Sequence, residues 1–144
     1  MSTDGVYQVI VGGDQSATGT YGFQLWNIPP VQIFDIAIGG SVAKDLPAAG
    51  AGNIETPGVR DVYRFTGTAG QSVYFAETTG GCLTPLVWRC EAPDGSVLFS
   101  ERLGAVECGT DAGLKQLPLT GTYTITVSGE QSGTGSYGFQ LSSR

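Results

Sequence analysis

Residues 5–25, GVYQVIVGGDQSATGTYGFQL, return near the other end of the chain as GTYTITVSGEQSGTGSYGFQL, residues 121–141. The copies align without a gap at an offset of 116 residues, and 13 of the 21 positions are identical. Self-similarity of this kind marks a repeated structural unit. Only one full unit fits between the copies. Residues 1–27 therefore read as the terminal hairpin of a preceding repeat, 28–40 as a linker packing between units, and 41–144 as a complete unit. Within each copy the pattern is strand, loop, strand. Tyr7, Val9 and Val11 alternate with Val6, Gln8 and Ile10; Gly12-Gly13-Asp14 breaks the run; Tyr21, Phe23 and Leu25 resume it. The second copy repeats this with Tyr123, Ile125, Val127 and then Tyr137, Phe139, Leu141. A period of two is that of a half-buried strand, and a Gly/Ser/Thr-rich loop of this length predicts an antiparallel hairpin.

The central unit continues in the same way. Tyr63 and Phe65 alternate with Val62 and Arg64, Val73 and Phe75 flank Tyr74, and residues 67–70 between them read as a hairpin turn. Leu86, Trp88 and Cys90 share a face, Asp94-Gly95 is a strong turn signal, and Val97 with Phe99 marks the next strand. Leu114, Leu117 and Leu119 mark another, and a first short strand is expected around 36–42. Ala43 to Pro57 reads as an irregular loop. About eight strands with no helical period predict an all-β fold: an antiparallel β-sandwich, jelly-roll-like, with the extra N-terminal hairpin. The linker carries Pro29-Pro30, which resists ladder pairing. It is also rich in apolar side chains, so Trp26, Ile28, Phe34 and Ile36 are expected to pack between units.

Composition narrows function. The chain has no histidine, the commonest general base and nitrogen ligand, so neither a Ser-His-Asp nor a Cys-His mechanism can be assembled from it. A net charge of −6 repels phosphate backbones, and nucleic-acid binding is not expected. No apolar run is long enough for a membrane-spanning helix, so no membrane insertion is expected. Asp14 and Glu130 are one position in two copies and read as turn residues rather than a glycosidase acid pair. Of three cysteines, Cys90 points into the core. The expected bridge is Cys82–Cys108, formed in an oxidising compartment, with three reduced thiols as the alternative.

The segments DVYRFTGTAGQSVYF, WRCEAPDGSVLF and GTYTITVSGEQSGTGSYGFQL together resemble the bacterial pre-peptidase C-terminal domain family over about the last 110 residues. The resemblance implies a secreted, non-catalytic β-sandwich found beside proteases or in tandem within surface proteins. Some relatives, the collagen-binding domains of bacterial collagenases, bind protein fibres and calcium. Calcium needs six to eight oxygens. The oxygen-rich stretches here are Asn53 to Glu55 with Asp61, and Glu107 with Asp111. Neither has calcium-loop spacing, so solvated carboxylates and no cofactor are expected, with a bound calcium ion as the alternative. Asp61 beside Arg60 and Arg64 reads as a surface ion pair of little weight. Tyr74 and Trp26 are the exposed aromatics that a sugar ring would stack on, although sheet covering and inter-unit packing account for them more simply.

The expected function is that of a non-catalytic structural or adhesive repeat module of an extracellular, secreted or cell-surface protein. Its expected partners are neighbouring repeats, with head-to-tail or homo-oligomeric assembly through hairpin pairing. The alternative is a carbohydrate- or protein-fibre-binding accessory module of an extracellular enzyme.

Overall fold

The computed structural model describes residues 4–79, 85–104 and 111–144. Among them the period-two runs after residue 60 become strands. These are β1 Gln32–Asp35, β2 Ser41–Val42, β3 Asn53–Ile54, β4 Arg60–Gly67, β5 Ser72–Thr79, β6 Leu86–Glu91, β7 Val97–Leu103, β8 Gly113–Gln116, β9 Gly121–Gly129, β10 Gly135–Ser136 and β11 Gly138–Ser143. They form a five-stranded sheet ordered β1-β4-β9-β6-β7, a four-stranded sheet ordered β2-β11-β5-β8, and a short β10-β3 pair. The predicted all-β sandwich is what the chain forms.

The core lies between the two large sheets. Tyr63, Phe65, Trp88, Cys90, Tyr123, Ile125 and Val127 enter from one, and Val42, Val73, Phe75, Phe139 and Leu141 from the other, all buried. Aromatic rings join the layers. Tyr63 and Phe139 meet edge to face at 5.2 Å and Phe65 and Phe75 at 6.0 Å, while Trp88 and Phe139 meet at a tilt with centroids 5.6 Å apart. Such pairs add about 0.5–1.5 kcal/mol each beyond the area they bury. A tyrosine corner locks the entry to β9: the Tyr123 hydroxyl donates to the Leu119 carbonyl at 2.7 Å and accepts from the Leu119 amide at 3.0 Å.

Two connections differ from expectation. The turn at 67–70 leads from β4 in one sheet to β5 in the other, so it crosses the sandwich rather than closing a hairpin. The repeated C-terminal unit does the same. Strand β9 pairs with β4 and β6, whereas β11 pairs with β2 and β5, which makes the unit an arch. In a hairpin, both runs of inward residues would share one sheet face. In the arch they face each other across the core, and Tyr123, Ile125, Val127, Phe139 and Leu141 all reach full burial. The arch loop requires glycine at 129, where a Cβ would come within 1.9 Å of the Gly133 carbonyl oxygen, and it holds Gln131 at φ 54°.

The stretch expected as a linker contributes to the unit itself. Immediately after Pro29-Pro30, β1 pairs in parallel with β4, from Gln32 opposite Asp61 to Asp35 opposite Arg64. Phe34 stacks on Tyr63 at 5.2 Å inside the core, and Ile36 and Ile38 pack against it half-buried. Of the short strand expected around 36–42 only β2 forms, at Ser41–Val42; β1 ends before it at Asp35, and a turn with Gly39 at φ 100° lies between them. Strand β3 interrupts the loop expected from Ala43 to Pro57. Strand β8 ends before Leu117, which is buried, while Leu114 is exposed.

Residues 4–31 include no strand. Val9, Val11, Tyr21, Phe23 and Leu25 are exposed, although their counterparts Ile125, Val127, Tyr137, Phe139 and Leu141 are core residues. Of the expected N-terminal hairpin only the loop has formed: the Ala17 amide donates to the Asp14 carbonyl at 2.9 Å.

Candidate functional site

The chemistry-bearing group that matters most is Asp61, the one buried charged side chain among the described residues. The surface ion pair expected for it with Arg60 and Arg64 does not form; Arg64 reaches instead to Asp35, at 3.0 Å. The reason is strand phase. Asp61 shares its parity on β4 with Tyr63 and Phe65, so its side chain points inward. There the Tyr137 hydroxyl donates a short hydrogen bond to Asp61 Oδ2. The Tyr63 and Tyr137 hydroxyls are 2.7 Å apart, and the Gly52 amide donates to Tyr63 at 2.9 Å. With the Tyr137 proton committed to Asp61, the Tyr63 proton must go to Tyr137. The result is a one-way chain from the Gly52 N–H through two tyrosines to the carboxylate.

The electrostatics follow from this enclosure. Burial pushes the Asp61 carboxyl up to about 6, against a partial opposing effect of the Tyr137 hydrogen bond. Nearby Glu55 adds to the upward push, while the Asn53 amide and Tyr63 favour the charged form. Asp61 Oδ1 lacks a geometrically complete hydrogen bond, which itself penalises the charge. Both tyrosines are held well above their ordinary range, chiefly by burial. The cluster lies inside the core and ties the loop at Gly52, strand β4 and the arch together. An open depression of about 220 Å³, lined in part by Asp35, Arg64, Thr66 and Thr122, does not include it. The arrangement positions structure and presents no group to a substrate.

The other candidate residues disperse. Asn53 accepts from Ser136 at 2.8 Å across the β3–β10 pair. Asp111 accepts from the Tyr74 hydroxyl and from the Glu77 amide, both at 2.7 Å. Among the described residues no three acidic or cysteine side chains converge as metal ligands would. Tyr74 is not an open platform: besides its bond to Asp111, the Arg144 guanidinium lies 5.4 Å over its ring. Glu130 pairs with Arg102, and its amide donates to the Pro85 carbonyl at 2.7 Å, while Asp14 supplies the equivalent turn in the first copy. Trp26 is about half-exposed, and Ile28 is exposed on one side but reaches the backbone at Gly58. Cys90 is buried and unbridged, its thiol pushed up to about 12 by burial. Cys82, Cys108 and Glu107 lie outside the described residues.

Sequence reasoning missed the role of the tyrosine hydroxyls. The available signal was the choice of Tyr over Phe at the inward positions 63, 123 and 137, since a buried phenol needs a partner.

No family model and no curated protein matches the sequence. Among the solved structures similar to it are two domains of known origin. One is the pre-peptidase C-terminal domain of a collagenase from Bacillus anthracis, at 14% identity and a TM-score of 0.58, covering 78% of this chain and 97% of that one. The other is PliG of Aeromonas hydrophila, a periplasmic inhibitor of g-type lysozyme, at 14% identity and a TM-score of 0.51, covering 80% of this chain and all of that one. The chain thus has the fold of the pre-peptidase C-terminal domain, the fold its sequence motifs resemble.

Proposed function

We propose that the chain is a non-catalytic β-sandwich module of an extracellular or periplasmic multi-unit protein, acting as a structural or adhesive unit. One observation carries the reading. The buried carboxyl with the strongest catalytic profile, Asp61, is consumed by two tyrosines that close the fold, in a chain with no histidine to partner any nucleophile. The two structural neighbours support the setting, one being a domain of a collagenase and the other a periplasmic lysozyme inhibitor. The duplicated closing arch supports the multi-unit part, because a second copy is superfluous to a single sandwich.

The test is a panel of generic esterase, protease and glycosidase substrates run beside glycan-array and collagen-fibre pull-down measurements. Inert behaviour on all of them is expected. Turnover abolished by a single carboxylate substitution would overturn the reading. Saturable glycan or fibre binding would replace the structural role with the accessory-module alternative.

A further inference from the structure

We infer that residues 5–25 are a closing arch, with its loop already formed, for a β-sandwich body other than this chain's own, and that Ala17 is the residue that keeps the arch out of a second copy of this chain. The inference rests on the multi-unit reading, but its test measures folding and uses none of the ligand or substrate assays.

The two arch loops are geometrically alike although only one has a core around it. Gln15 has φ 52° and Gln131 φ 54°. The Ala17 amide donates to the Asp14 carbonyl at 2.9 Å, and the Gly133 amide to the Glu130 carbonyl at 2.8 Å. A Cβ on Gly13 would meet the Ala17 oxygen at 2.1 Å, as one on Gly129 would meet the Gly133 oxygen at 1.9 Å. The loop is therefore specified locally, by glycine at the tight approach and a residue tolerating positive φ two positions on. In the N-terminal copy the loop curls around a cavity of about 550 Å³ whose lining includes Asp14 and Ala17. In the C-terminal copy the space against the matching residues, Glu130 and Gly133, is filled by Pro85.

The body this arch would close is not this one. A Cβ at position 133 would stand 2.4 Å from the Pro85 carbonyl oxygen and 2.8 Å from its Cβ. The first copy carries alanine there. Seating it in this body would displace the very carbonyl that accepts the arch amide at 2.7 Å. Such a contact involves backbone and has no flexible side-chain end to yield. The outward face of the first copy differs as well: Ile10 stands where Thr126 lies between Val62 and Arg89. The acceptor's chemistry follows from what the copy keeps. Tyr21 replaces Tyr137, so the acceptor presents a buried carboxyl at the position of Asp61. Val9 replaces Ile125, which in this body lies between Tyr63 and Cys90. The partner is a homologous sandwich body whose chain stands back at the position of Pro85.

The experiment transplants residues 5–25 over 121–141 of the full chain, with and without Ala17→Gly in the transplanted copy, and follows thermal unfolding by circular dichroism. The Ala17→Gly transplant is expected to melt cooperatively within about 10 °C of the parent, and the unaltered transplant about 5 °C or more below that. Gly133→Ala in the otherwise natural chain should reproduce the second drop. Failure of the Ala17→Gly transplant to melt cooperatively would overturn the assignment of 5–25 as a closing arch. Equal melting of the two transplants would overturn the role of Ala17.

Discussion

The enclosed Asp61 carboxyl makes this fold less stable as pH rises through neutrality, the reverse of what ordinary salt-bridged carboxylates do. It titrates at about 6 in the folded chain against an ordinary 3.8, chiefly because burial disfavours its charge. A raised folded-state value means that the folded chain holds the proton more tightly than the unfolded one. The resulting stabilisation is complete below pH 3.8 and is lost as pH climbs through about 6. The full swing is about 3 kcal/mol, of which about 1.4 kcal/mol falls between pH 5 and pH 8. Two common sources of titration in that window are missing: the chain has no histidine, and the Cys90 thiol is pushed up to about 12. Melting temperature measured from pH 5 to pH 8 at constant ionic strength should fall by about 4–6 °C. Asp61→Asn, which keeps an acceptor for Tyr137 but cannot ionise, should flatten the profile. A level profile in the natural chain, or the same slope in Asp61→Asn, would refute the argument.

Three further outcomes follow from single contacts. Tyr123→Phe leaves both Leu119 backbone groups without their partner and should cost about 1–3 kcal/mol in urea denaturation at unchanged m-value. Cys90 should resist thiol-reactive reagents until the chain unfolds, and non-reducing peptide mapping should find it free while Cys82 and Cys108 are joined; Cys90 within the bridge would defeat that pairing. Trp88→Ala should cost about 3–5 kcal/mol, because Trp88 sits at the centre of the core against Phe99 and Phe139, whereas Trp26→Ala should change stability by no more than about 0.5 kcal/mol.

Much of the architecture was legible because alternation reports which face of a strand is buried. The inward sets on β4, β5, β6, β9 and β11 are those the period-two pattern names. Alternation does not report which strand lies beside which, and that is where expectation and structure part. Hairpin and arch have the same pattern of strand, polar loop and strand. They differ only in whether the loop lets the second strand fold back into the same sheet, which the residue pattern does not encode. Strand β1 escaped notice because it is a short, parallel edge strand just behind two prolines, with three of its four residues exposed. Asp61 was legible by phase and misread by type: its parity matched Tyr63 and Phe65, but a carboxylate between two arginines suggested the surface. Identifying its partner required Tyr137, which is 76 residues away.

The arch also explains why a second copy is consequential rather than decorative. Both of its long strands are interior strands. Strand β9 is flanked by β4 and β6, and β11 by β2 and β5. Without the arch, the larger sheet separates into the pairs β1-β4 and β6-β7, and the smaller one into a lone β2 and the pair β5-β8. Isolated two-stranded pairs are marginal in water, so such a body has no independent fold. Tyr137 would be missing from the Asp61 network, leaving a buried carboxylate without its principal donor. An arch is thus the part on which both sheets and the polar network of a unit depend. If residues 5–25 close a neighbouring body as proposed, the chain would join two bodies through the element that neither can do without. Folding of the neighbouring body would then be coupled to the segment this chain supplies, a tighter linkage than a flexible tether provides.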